Sequence, residues 1–165
     1  MATLKELPLA DVEVEIASTR RILERLPDDR LTWKPHEKSR TIGDLGAHLA
    51  DIVGSQVVVI TEDEMDAAAR PFARADPGNK AEILKAFDEN VAQLKTALEN
   101  VDESALTRDW TFRFGDHVIF TSPKLVAFRS FGISHIAHHR GQLTVYLRLL
   151  DLPVPSIYGP SADEG

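Results

Sequence analysis

Apolar residues recur with helical spacing in four stretches of the chain. The first runs from about Leu9 to Leu26, where Val12, Ile16, Ile22, Leu23 and Leu26 make one stripe, and Pro27-Asp28-Asp29 ends it. The second is predicted to start at Thr41, an N-cap whose partner three residues on is Asp44. Its stripe is Ile42, Leu45, Leu49, Ile52, Val53 and Gln56, and the run Val57 to Ile60 carries it to about Glu62. A polar connection, Asp63 to Gly78, is broken at Arg70-Pro71 and at Asp76-Pro77-Gly78. The third helix opens near Asn79 and shows Ile83, Leu84, Phe87, Val91, Leu94, Leu98 and Val101.

The period then changes. Trp110, Phe112 and Phe114 alternate with polar residues, Gly115-Asp116 turns, and Val118 to Phe120 resume, which reads as a short hairpin. Ser122-Pro123 launches the fourth helix, Lys124 to about Leu150, and Asp151-Leu152-Pro153 stops it. The expectation is an all-α four-helix bundle, a single domain over 1–165, with a long crossover and a hairpin-like excursion before the last helix.

Composition narrows the chemistry. The 165 residues contain no cysteine, so zinc–thiolate sites, disulfides and thiol nucleophiles are excluded. A formal charge of −7, with no Lys/Arg stripe, argues against a nucleic-acid partner. The apolar runs fall short of the roughly 20 residues of a membrane helix, and the opening residues lack a secretory pattern, so a cytoplasmic protein is expected. Six histidines are present, and three crowd into Ser134-His135-Ile136-Ala137-His138-His139-Arg140-Gly141-Gln142.

On a helix, His139 lies one turn along from His135 and only about 40° around it, so both imidazoles can converge on one ion. They share a seam with Phe128, Phe131, Gly132, Gln142, Leu143, Tyr146 and Leu150, whereas His138 falls nearer its edge. A third ligand is expected from another helix. His48 is the candidate, three residues after Leu45 and four before Ile52 on the apolar stripe. A lone histidine there is more often a hydrogen-bonded core residue, but three together with no carboxylate beside the pair would be costly to bury empty. His36 and His117 fall in loop or hairpin segments. Gln142 and Tyr146 could touch a substrate or a ligand, or merely pack. Asp44 could orient His48 or simply cap its helix. Arg140 reads as a salt-bridging or interface residue, Gly141 as a point of close helix approach.

The run His135-Ile136-Ala137-His138-His139-Arg140-Gly141-Gln142-Leu143, together with Thr41 to Ala50 and Leu147 to Pro153, resembles the DinB/YfiT-like metalloenzyme family. This is the damage-inducible DinB of bacilli, not the DNA polymerase that shares the name. The resemblance implies a four-helix bundle with a long crossover, a metal triad at His48, His135 and His139, zinc, nickel or iron as the metal, and a homodimer. It also implies a small-molecule substrate and a low-molecular-weight thiol as cosubstrate, since characterised relatives include thiol-S-transferases and thiol-dependent isomerases.

Three histidines leave a coordination position open, as catalytic metal sites do. The reading that follows is a divalent-metal-dependent thiol-S-transferase or hydrolase, with a pocket lined by Trp33 and Trp110. Two rivals are a non-enzymatic metal-binding stress-response protein and a helical dimer whose histidines bond one another.

Overall fold

The computed structural model describes Leu4 and residues 6–69 and 75–165. The expected break at Arg70-Pro71 lies outside them. Helix α1 spans Glu6–Glu24, α2 Ile42–Thr61 and α3 Lys80–Asn100. The last helix, α4, is composite: α-helical over Lys124–Ala127, π-helical over Phe128–Ile133 and α-helical over Ser134–Leu149. A single 3₁₀ segment, Glu103–Thr107, follows α3. No helix among the described residues is long and apolar enough to cross a membrane.

The start of α2 is fixed by a reciprocal cap. Thr41 Oγ1 accepts from the Asp44 amide at 3.0 Å, and Asp44 Oδ2 accepts from the Thr41 amide at 3.3 Å. Two amides that the helix leaves unpaired are thereby satisfied. At the other end, the buried Lys124 ammonium donates to the carbonyl of Glu62 at 2.6 Å and pairs with Asp63 at 3.1 Å. A cation thus sits where the helix dipole is negative.

Helices α1 and α2 each pack against both α3 and α4, which places α1 diagonal to α2 and α3 diagonal to α4. Directions follow from particular contacts. Gly46 abuts Ile83, and Asn90 donates to the carbonyl of Ala50, so α2 and α3 run parallel. Their connection must therefore return along the full length of α2. It does so: Pro77 lies against Gly43 at the start of α2. The long crossover expected from residues 63–78 is this segment.

The expectation of an all-α fold is incomplete, because three strands form a small sheet in the order β1-β2-β3. Strands β2 (Asp109–Phe114) and β3 (His117–Pro123) are the expected hairpin, turned at Gly115 with φ +57°. Strand β1 (Glu64–Asp66) was not expected. It lies inside the polar crossover and pairs in parallel with β2, Met65 opposite Phe112. Only Met65 of the three is buried; Arg113 bridges Glu64 and Asp66 at 2.7 and 2.6 Å. Three residues without alternation carry no strand signal of their own.

The core contains Ile22, Leu23, Leu45, Leu49, Ile83, Phe87, Leu98 and Leu143, all close to zero exposure. It also contains an ion pair. Arg140, 1 % exposed, meets Glu15 at 2.7 Å, donates to the Glu15 carbonyl and Thr19 hydroxyl, and lies over the Tyr158 ring at 4.8 Å. The salt-bridging role expected of Arg140 is thus a buried one between α4, α1 and the C-terminal segment.

Gly141, by contrast, allows no close approach: a Cβ there would meet nothing within 4 Å. The tight positions are elsewhere. A Cβ on Gly43 would stand 1.8 Å from the Pro77 carbonyl oxygen, and one on Gly132 2.2 Å from the Gln56 side chain.

Two outcomes are expected in urea denaturation. Gly43→Ala should destabilise by several kcal/mol, because the obstacle is backbone, whereas Gly141→Ala should stabilise by roughly 0.5–1 kcal/mol through helix propensity. Arg140→Ala should cost about 3–5 kcal/mol by stranding Glu15, and the Arg140→Met/Glu15→Leu double variant much less, because both charges leave together.

Candidate metal centre

The site is built where α2 crosses α4. His48 sits near the middle of α2, and His135 and His139 lie one turn apart on α4. The helices run antiparallel here, so His48 falls beside both: its ring centroid is 5.1 Å from that of His135 and 4.7 Å from that of His139. One ligand nitrogen from each can be chosen so that all three lie within 4.8 Å of one another. The three histidines singled out from the sequence are thus brought together, and they form a group that could hold a metal ion.

Hydrogen bonds orient two of the rings. His135 Nδ1 donates to the carbonyl of Phe131 at 3.3 Å, and His139 Nδ1 donates to Gln142 Oε1 at 2.7 Å. Each ring then presents Nε2 as a lone pair, and the two Nε2 atoms face each other at 2.9 Å. Two lone pairs at that distance repel unless a proton or a cation lies between them. A shared divalent ion satisfies this donor set, and oxygen acceptors behind the ring N–H groups are the usual support of ligating histidines.

All three rings are half-buried, at the border of the helix interface rather than sealed in the core. His138 is exposed and stacks edge-on to His139 at 4.8 Å. Burial pushes the pKa of His135 below the ordinary histidine value, reinforced by the nearby charges of His138 and Arg40. Burial does the same to His139, reinforced by His135, His138 and Arg40. Neutral imidazoles are the form that binds metal.

The aromatic residues divide. Trp33 meets Tyr146 edge-to-face at 5.7 Å, on the same side of α4 as Gln142. Trp110 is fully buried, stacked parallel to Phe112 at 6.2 Å and packed against Phe131 at 5.7 Å, so it lines no open pocket. Its contribution is indirect: the hairpin aromatics wedge Phe131, whose carbonyl holds His135 and whose ring lies 6.1 Å from it. The π-turn places Phe131 there, a widened turn of the kind that helices often carry at functional sites. Asp44 is engaged by the cap of α2 rather than by His48.

Two residues were missed or undervalued in the sequence. Gln142 holds His139 directly, a role its position three residues on could have suggested. Arg40 stands in a loop, and no periodicity marks it. A groove of about 780 Å³ along Val57, Ile60, Ala97 and Val101 is lined by none of the three histidines.

The lowered pKa values set a pH dependence. The unfolded chain takes up these protons near pH of about 6.5, earlier than the folded one does. The metal-free protein therefore has its full stability above that pH and loses stability as pH falls through it. Urea midpoints at neutral and mildly acidic pH should show this loss, reduced in His135→Gln/His139→Gln. The carboxylates held low by partners, such as Asp66 and Asp163, act only at lower pH.

Comparison with known proteins agrees with this geometry. The uncharacterized protein YrdA of Bacillus subtilis (strain 168) is 25 % identical over 155 residues, covering 92 % of this chain and 86 % of that one. The crystal structure of a DinB-like protein from Bacillus cereus ATCC 10987 superposes with a TM-score of 0.69 at 24 % identity, over 93 % of this chain and 97 % of the other. The mycothiol-dependent maleylpyruvate isomerase shares the fold at a TM-score of 0.55 and 16 % identity, over 93 % of this chain and 64 % of that longer one. The sequence pattern of the DinB superfamily matches residues 12–143, which span both helices of the histidine site, and the chain belongs to that superfamily.

Proposed function

We propose that His48, His135 and His139 hold one divalent transition-metal ion, zinc, nickel or iron, and that the chain is a metal-dependent enzyme acting on a small molecule. The observation that carries this reading is the pair of facing Nε2 atoms, 2.9 Å apart with both Nδ1 atoms already engaged. When bound, such an ion would lower the pKa of a water or a thiol entering its open position. The chain's own residues supply orientation. The Phe131 carbonyl and Gln142 fix the two rings, the hairpin aromatics hold Phe131, and the half-exposure of the ligands leaves an approach from solvent.

Of the two reaction classes, thiol-S-transfer is favoured over hydrolysis by the fold shared with a mycothiol-dependent enzyme. The chain has no cysteine, so the thiol would come from a low-molecular-weight cosubstrate. The same reading takes 1–165 as one domain working as a cytoplasmic homodimer. Exposed Val145 and Leu149, one turn apart on α4, offer an apolar strip for a second copy.

Elemental analysis of untagged protein purified without chelator tests the site. About one equivalent of metal per chain is expected in the wild type. It should be absent from His48→Ala/His135→Ala/His139→Ala while the helical circular dichroism is kept. Turnover of thiols with electrophiles should then depend on the ion. Metal without turnover across thiol, ester and amide substrates would turn the reading to a non-enzymatic metal-binding stress-response protein.

A further inference from the structure

The loop before α2 is tied down beside the histidines. The Ile42 amide donates to the carbonyl of Trp33 at 3.0 Å and the Gly43 amide to that of Leu31 at 2.8 Å, so the loop ends are stitched to the first turn of α2. Trp33 reaches across to Tyr146, on the face of α4 that carries His139 and Gln142. Arg40 is the last residue of this loop, directly before the cap Thr41, and it is exposed. Its surroundings set it apart in an acidic chain. Arg20, Arg113, Arg140 and Arg148 each pair with a carboxylate, whereas Arg40 is in no ion pair among the described residues.

The charges felt by both His135 and His139 are those of Arg40 and His138, and no carboxylate is among them. The histidine site is thus electropositive within a molecule of formal charge −7. Three neutral imidazoles neutralise nothing of a divalent ion, and a guanidinium at the rim adds to the positive field. Arg presents a planar fork that matches a carboxylate in two hydrogen bonds.

From this placement we infer that Arg40 determines specificity at the histidine site by pairing with a carboxylate on the small molecule whose head group enters there. The inference rests on the metal-site reading and names the substrate class it serves. The carboxylate can belong to the thiol or to its reaction partner, and the probes separate the two.

Cobalt-loaded wild-type protein and Arg40→Gln and Arg40→Lys variants would be titrated with four ligands. These are 3-mercaptopropionate, 2-mercaptoethanol, 2-aminoethanethiol and propionate, followed by visible absorption of the ion and by calorimetry. Affinities are compared as the ratio of wild type to variant, so the thiols' own acidities cancel. Arg40→Gln should weaken 3-mercaptopropionate about tenfold, the size of one charge-assisted contact, and leave 2-mercaptoethanol unchanged. It should strengthen 2-aminoethanethiol, and Arg40→Lys should keep part of the preference. The tenfold ratio should shrink as salt is raised.

The same loss seen with propionate but not with 3-mercaptopropionate would support the inference and assign the carboxylate to the reaction partner. Equal ratios for charged and neutral ligands, with cobalt still binding at one equivalent, would overturn the role of Arg40 and leave the metal site standing. Failure of cobalt to bind the wild type would remove both.

Discussion

The approach of α2 to α4 is the constraint on which the site depends. Gly132 removes the side chain that would collide with Gln56, and this lets the helices close together at that end. His48 then comes to within 5.1 Å, ring to ring, of both histidines on α4. Once the helices are this close, three half-buried imidazoles share one small volume, and burial keeps His135 and His139 from taking up protons. A cluster of neutral rings with opposed lone pairs is an unfavourable arrangement for packing alone and a favourable one for a cation.

The rest of the fold holds that crossing in place. The crossover of residues 62–79 returns along α2 and seats Pro77 against Gly43, which fixes α3 parallel to α2. Arg140 and Glu15 tie α4 to α1 through a buried ion pair that tolerates little displacement. The sheet acts from the other side. Its aromatic residues, Trp110, Phe112 and Phe120, gather around Phe131 at 4.9–6.0 Å and so set the carbonyl that orients His135. A hairpin far from the ligands in sequence thereby contributes to the geometry of the site.

Local signals were legible in the chain where a few neighbouring residues decide the outcome. The Thr41–Asp44 cap, the turn at Gly115, the hairpin and the four apolar stripes each depend on interactions within a handful of residues, and all four appear in the structure. The three histidines were legible for a related reason. A four-residue spacing on one helix fixes which rings share a face, and a histidine on a neighbouring apolar stripe has few other places to go. The family resemblance agreed with that choice.

What the sequence determined is therefore the set of elements and the ligand types, because backbone propensity and helical periodicity act over short range. Tertiary structure decided what requires partners distant in the chain. Strand β1 exists because β2 offers its edge to Glu64–Asp66, and Arg113 then secures both acidic residues. Gly132 matters and Gly141 does not, because only one of them faces another helix. Arg40 stands near the histidines because the loop is stitched to α2 through Leu31 and Trp33. Long-range packing sets each of these, and no local pattern of residues carries that information.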